Sequence, residues 1–162
     1  MEVVIKMKNK KKWKREADYC DSTQIRNAIR YAISRKAPNK EKRVRVWGTK
    51  GLSKDIDEMV NQISGMQKIL RKDKGRRLYH MIVSFPCGMR NKKYVQRTAE
   101  RIADYLYKSY QVVYGVHEDT SNLHIHFIFN AVSYVDGKKF HYNHEDWKKI
   151  REDITAIASR WG

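Results

Sequence analysis

Apolar positions recur along this chain with two periods, and each change of period marks a change of element. Val3 to Met7 is a short apolar run that reads as a strand. Ile25, Ala28, Ile29, Ala32 and Ile33 then fall at helical spacing behind Asp21 and Ser22, a pair suited to cap a helix N-terminus, and this helix stops before Pro38. Arg43 to Trp47 alternates basic and apolar as a strand does, and Gly48 to Gly51 is expected to break it. Asp55 to Leu70 returns to helical spacing through Ile56, Met59, Val60, Ile63 and Ile69. Gly75-Arg76-Arg77 leads into Leu78 to Phe85, the clearest central strand, closed by Pro86. Tyr94 to Tyr107 is the strongest amphipathic helix, with Val95, Ala99, Ile102, Ala103 and Leu106 in one stripe.

Two adjacent strands follow, Gln111 to His117 and Leu123 to Asn130, with the polar Glu118 to Asn122 as their turn. The chain stays extended to Val135, turns at Asp136-Gly137 and returns through Lys138 to Tyr142 as a hairpin. Trp147 to Trp161 closes it as a helix buried through Ile150, Ile154, Ile157 and Ala158. This order of elements is an α+β pattern: a largely antiparallel sheet with helices on one face. At 162 residues, the chain reads as one domain spanning 1–162.

The first of these hairpins carries the chemistry. Antiparallel pairing sets His117 opposite His124, and His126, two residues on, shares the face of His124. Gly115 and Val113 continue that face, whereas Leu123, Ile125, Phe127 and Phe129 meet Val112, Tyr114 and Val116 on the other. One face is therefore a core and the other holds three imidazoles. Three neutral imidazoles with coordination positions left open suit a catalytic metal, since a structural zinc is normally closed by four protein ligands. The plainer alternative is a His-rich turn on a solvated face, its imidazoles satisfied by hydrogen bonds.

Charge narrows the choice. The chain has 35 lysines and arginines against 18 acidic residues, a net charge of +17, with a pI near 9.9. Such a surplus points to a polyanionic partner, nucleic acid being the commonest, although ribosomal and membrane-surface proteins can be as basic. The run Lys8, Lys10, Lys11, Lys12, Lys14 and Arg15 reads equally as a solvated loop or as an arm on phosphates. Cys20 and Cys87 form no ligand-like pair, as in a reducing cytoplasm, and the N-terminal apolar run is too short for a signal or a membrane span. An open metal site in a basic protein suggests phosphoryl chemistry, with the metal polarising a phosphate oxygen. The attacking group is then sought among ten tyrosines. Tyr31 points away from the apolar stripe of its helix, and Arg26, Arg30 and Arg35 add positive charge beside it. Tyr19, just before the helix cap, competes with it; Tyr107 and Tyr110 read as packing residues. The residues alone leave that choice open.

The stretch His117-Glu-Asp-Thr-Ser-Asn-Leu-His124-Ile-His126-Phe-Ile-Phe-Asn130 resembles the three-histidine motif of plasmid and transposon relaxases, the mobilisation nucleases of the HUH endonuclease superfamily. His80-Met-Ile-Val-Ser84-Phe85-Pro86 is similar to the strand those proteins place earlier, Val135 to His141 to their later hairpin, and Ala28 to Ile33 to their nucleophile-bearing helix. The resemblance implies a five-stranded antiparallel sheet and strand-specific DNA transesterification at an origin of transfer, leaving a 5′ phosphotyrosine and a free 3′ hydroxyl. It implies Tyr31 as nucleophile, His117, His124 and His126 as metal ligands, and Asp119 as a carboxylate behind a ligand or accepting a proton, with a turn-stabilising role as the alternative for Asp119. Arg90, Lys92, Lys138 and Lys139 join Arg26, Arg30 and Arg35 as candidate DNA contacts. The expected cofactor is divalent, Mn or Mg: imidazoles favour Mn, Zn, Co or Ni over Mg, while availability and substrate phosphates bring Mg or Mn into use. Expected partners are single-stranded DNA and accessory DNA-binding proteins of a mobilisation complex, in a bacterial cytoplasm. Relaxases often continue well past the nuclease domain, so no helicase, primase or oligomerisation function is carried over to these 162 residues. The rival readings are a rolling-circle initiator or single-strand transposase of the same superfamily, and a non-catalytic basic nucleic-acid-binding protein.

Overall fold

In a computed structural model, which describes residues 2–8, 19–34 and 44–160, a five-stranded sheet organises the chain. The elements are β1 (Val4–Met7), α1 (Ser22–Ile33), β2 (Val44–Lys50), α2 (Ile56–Ile69), β3 (Leu78–Ser84), α3 (Lys92–Tyr107), β4 (Val112–His117), β5 (His124–Asn130) and α4 (His144–Ser159). The strand order is β1-β3-β5-β4-β2, and every neighbouring pair is antiparallel. The α+β class and the five antiparallel strands are those expected. Among the described residues no helix is long and apolar enough to cross a membrane.

Strand alternation divides the sheet into two faces. On one, Met81, Val83, Val112, Tyr114, Val116, Ile125, Phe127 and Phe129 pack with Val95, Ala99, Ile102 and Ala103 of α3 and Ile154 and Ala158 of α4. On the other, Leu78, Val113 and Ile128 receive Ile25, Ile29, Ala32 and Ile33 of α1 and Met59, Val60 and Ile63 of α2. Helices thus cover both faces rather than one. The face bearing the histidines is roofed by α1 and α2 over part of its length, which brings α1 alongside the imidazoles.

Several boundaries differ from the sequence expectation for identifiable reasons. Gly48 does not break β2; it pairs with Tyr114 of β4, and a Cβ there would lie 2.6 Å from the Tyr114 hydroxyl. Glycine admits that ring, and the strand ends instead at Gly51, where φ is +73°. Ile69 is 83% exposed while Gln67 is fully buried. At about 100° per residue, Gln67 continues the stripe of Met59 and Ile63, whereas Ile69, two residues on, falls roughly opposite Gln67 and outside that stripe. Burial of Gln67 is tolerated because its amide donates to Arg77 O (2.8 Å) and Asn130 Oδ1 (2.6 Å) and accepts from Arg77 Nε (2.8 Å). Helix α4 starts before Trp147 because Asn143 and Asp146 form a capping box. The turn at Asp136-Gly137 is present, but its arms pair only through a bridge between Val132 and Lys139.

Candidate metal centre and its tyrosine

The register of β4 and β5 pairs His117 with His124 and Gly115 with His126, so the three imidazoles meet at the end of the hairpin next to its turn. Their ring centroids are 4.1 Å apart for His117 and His126, 5.0 Å for His124 and His126, and 5.2 Å for His117 and His124. One nitrogen from each lies within 4.8 Å of the others. Hydrogen bonds from behind choose which nitrogen that is. His117 donates from Nε2 to the carbonyl of Ala32 (2.8 Å), leaving its lone pair on Nδ1. His124 donates from Nδ1 to the carbonyl of Asn122 (2.9 Å), leaving its lone pair on Nε2. His126 contacts His80 through Nδ1 (2.6 Å), while its Nε2 is buried with no hydrogen-bond partner. A buried imidazole nitrogen without a partner, facing two others, fits a divalent cation; the sequence-predicted trio is one the structure brings together.

Gly115 makes the Ala32 contact possible. A Cβ on Gly115 would sit 1.9 Å from the Ala32 oxygen, so only glycine lets the last turn of α1 descend onto the sheet. That carbonyl belongs to a helix end, where carbonyls lack partners within the helix. The same descent brings Tyr31 to the imidazoles. Its ring lies 5.1 Å from that of His126, edge-on, and 5.6 Å from that of His117, while the side chain stays 39% exposed. The ammonium of Lys8 lies 5.1 Å from the Tyr31 ring centroid. Tyr19, the competing tyrosine, is turned instead toward His80, with its hydroxyl 3.3 Å from His80 Nδ1. Burial, then the charges of Lys8 and His117, pushes His80 down to about 3. His126 is also held well below the ordinary histidine range by burial and its neighbours. Both rings are neutral at pH 7.

Asp119 approaches the inner nitrogen of His124, Oδ1 lying 4.0 Å from Nε2; the backbone of Asn122, not Asp119, holds the outer nitrogen. Asp119 also lines a cleft of about 530 Å³ with Arg90, Lys92, Glu118 and Thr120, where Lys92 pairs with Glu118 at 2.9 Å. Arg30 is exposed one residue before Tyr31. The other predicted contacts are not gathered here. Arg26 is paired with Asp57 of α2, and Lys139 donates to the carbonyl of Lys74. Lys138 and Lys139 follow the far end of β5, roughly 20 Å along the strand from His124. Arg35, Lys10, Lys11, Lys12, Lys14 and Arg15 lie outside the described residues.

Sequence reasoning gave His80 no role at this site, placed Gly115 on the histidine face without a function, and put Lys8 only in a basic run read as a solvated loop or an arm on phosphates. Leu78, His80, Ile82 and Ser84 do alternate onto the histidine face, so the period of β3 carried a signal for His80. Its neighbour could not be read, because β3 pairs with β5 across a long stretch of intervening chain.

Comparison with known proteins agrees with this geometry. A family model described as relaxase, MobA/VirD2-like, nuclease domain, matches residues 31–162. Protein TraI of Escherichia coli is 31% identical over 112 residues, covering 66% of this chain and 14% of TraI. The chain therefore spans only a small part of that relative's length. A structure solved for the molecular basis of vancomycin resistance transfer in Staphylococcus aureus shares the fold. It has a TM-score of 0.56 at 9% identity, covering 98% of this chain and 90% of that one. With most of its length matched by the family model and a three-histidine cluster within the matched region, the chain belongs to the MobA/VirD2-like relaxase nuclease-domain family.

Proposed function

We propose that this domain nicks and rejoins single-stranded DNA at an origin of transfer by transesterification through Tyr31. The observation that carries the reading is the exposed Tyr31 ring seated 5.1 Å from His126 and 5.6 Å from His117, while Tyr19 is engaged with His80. The Tyr31 oxygen attacks phosphorus; the bond from phosphorus to the 3′ oxygen breaks, and that oxygen leaves as a 3′ hydroxyl after taking a proton. The 5′ phosphate stays on the tyrosine, and reversal rejoins the strand. His117, His124 and His126 would hold the divalent ion, Mn or Mg, which supplies polarisation of a phosphate oxygen. Asp119, on the inner side of His124, balances positive charge and offers a site for the phenol proton. Lys8 over the Tyr31 ring, the exposed Arg30 beside it in sequence, and Arg90 and Lys92 in the cleft with Asp119 are the cations we assign to DNA phosphates.

The test is an adduct assay on single-stranded oligonucleotides spanning the origin of transfer, resolved by denaturing electrophoresis. Wild type forms a covalent protein–DNA species with Mn2+ or Mg2+ and none in chelator; Tyr31→Phe forms none yet still binds DNA, and Tyr19→Phe still forms it. An adduct that persists in Tyr31→Phe and vanishes in Tyr19→Phe would move the nucleophile to Tyr19. Binding without cleavage in either ion would leave a non-catalytic DNA-binding protein.

A further inference from the structure

We infer that His80 and Tyr19 are positioning residues that set the tautomer of His126 and so prepare its inner nitrogen to bind metal. The inference rests on reading His117, His124 and His126 as ligands. His80 is buried on β3, and its Nε2 lies 2.6 Å from His126 Nδ1. One proton is shared between these two nitrogens, and it has two places to sit. If His80 donates it, His126 carries its own proton on Nε2, where it blocks coordination and is buried with no acceptor. If His126 donates, its Nε2 presents a lone pair to the cluster. His80 then carries its proton on Nδ1, and the Tyr19 oxygen stands 3.3 Å away as an acceptor.

The second arrangement leaves no buried N–H stranded, and the placement of Tyr19 supports it. Tyr19 has φ of +56°, a left-handed backbone conformation that a bulky residue seldom adopts. Its carbonyl accepts from Arg77 N at 2.9 Å, which ties that conformation to the start of β3. The strained residue is therefore clamped where its hydroxyl meets His80. Each of the other two histidines directs its outer N–H at a backbone carbonyl; His126 alone relies on side chains, and this relay does for it what Ala32 and Asn122 do for His117 and His124.

The test has one arm without metal and one with Mn2+ as probe. Long-range proton–nitrogen correlation on the histidine-labelled, metal-free protein should find His126 protonated on Nδ1, and His80→Leu should lose that single tautomer. In Mn2+ titrations His80→Leu should bind 10- to 100-fold more weakly, roughly the range for loss of a partner behind a ligand. His80→Gln, whose amide oxygen can accept from His126, should recover most of the affinity, and Tyr19→Phe should fall between. Protonation of His126 on Nε2 in the folded wild type overturns the inference. So does equal Mn2+ affinity of wild type and His80→Leu, or equal weakness of His80→Gln and His80→Leu. Absence of Mn2+ binding by the wild type would sink the metal-centre reading instead, and the tautomer measurement would still decide the role of His80.

Discussion

Burial makes His80 and His126 neutral bases rather than cations, and that has a consequence for stability. His80 is lowered from 6.5 to about 3, and His126 is lowered as well, mainly because burial penalises the charged ring. In the unfolded chain both rings take up a proton near pH 6.5. Below that pH the unfolded state holds more protons than the folded one, so stability falls as pH falls, from 6.5 down toward the folded value of His80. Above 6.5 neither state is protonated and the effect is absent. Each histidine contributes a slope of at most about 1.4 kcal/mol per pH unit. Urea unfolding in chelator should therefore give a stability that is level from pH 8 to 7 and declines steeply from pH 6.5 to 4, above the range where most carboxylates titrate. A level profile to pH 4 would mean that these rings are hydrated or charged in the folded state.

At the level of elements, the site is a contact between the end of α1 and the β4–β5 hairpin, and Gly115 sets how close they come. In Gly115→Ala the new Cβ meets the Ala32 oxygen, so α1 must lift. Lifting it removes the acceptor of His117 and carries Tyr31 away from His126. Adduct formation should fall by roughly 100-fold, the size of effect expected when a reacting group shifts by about 1 Å. Circular dichroism should still show the sheet and helices. Adduct formed at the wild-type rate would show that Tyr31 does not depend on this approach. The hairpin itself was legible in the sequence because its pairing is local: a polar turn and strict alternation fix which histidines face each other. Tyr31 was legible in part, since helical spacing turns it away from its own core but says nothing of what it meets. The approach of α1 to Gly115 and the pairing of β3 with β5 are long-range packing choices, and no local period encodes them. For the same reason the burial of Gln67 was invisible, because its partners Arg77 and Asn130 come from separate strands or their flanks.

Over the whole molecule, positive charge exceeds negative by 17, yet the residues that carry it are not equivalent. Composition predicted a polyanionic partner, and the fold sorts the basic residues by where they stand. Arg90 and Lys92 line the cleft that also contains Asp119, whose carboxylate reaches to 4.0 Å from His124, whereas Lys138 and Lys139 lie past the opposite end of β5. A strand bound at Tyr31 would pass over the first pair and miss the second. Each phosphate contact to single-stranded DNA releases condensed counterions and adds about 0.7 to the slope of log affinity against log salt. Arg90→Ala and Lys92→Ala should each weaken binding of an oligonucleotide and lower that slope by about 0.7. A phosphate contact by Lys92 would have to replace its pairing with Glu118, so its loss of affinity should be the smaller of the two. Lys138→Ala with Lys139→Ala should leave the slope unchanged if the DNA keeps to the histidine end. Fluorescence anisotropy across a salt series decides it: a slope that drops for the distant pair and holds for Arg90→Ala would place the strand along the other end of the sheet, away from Tyr31.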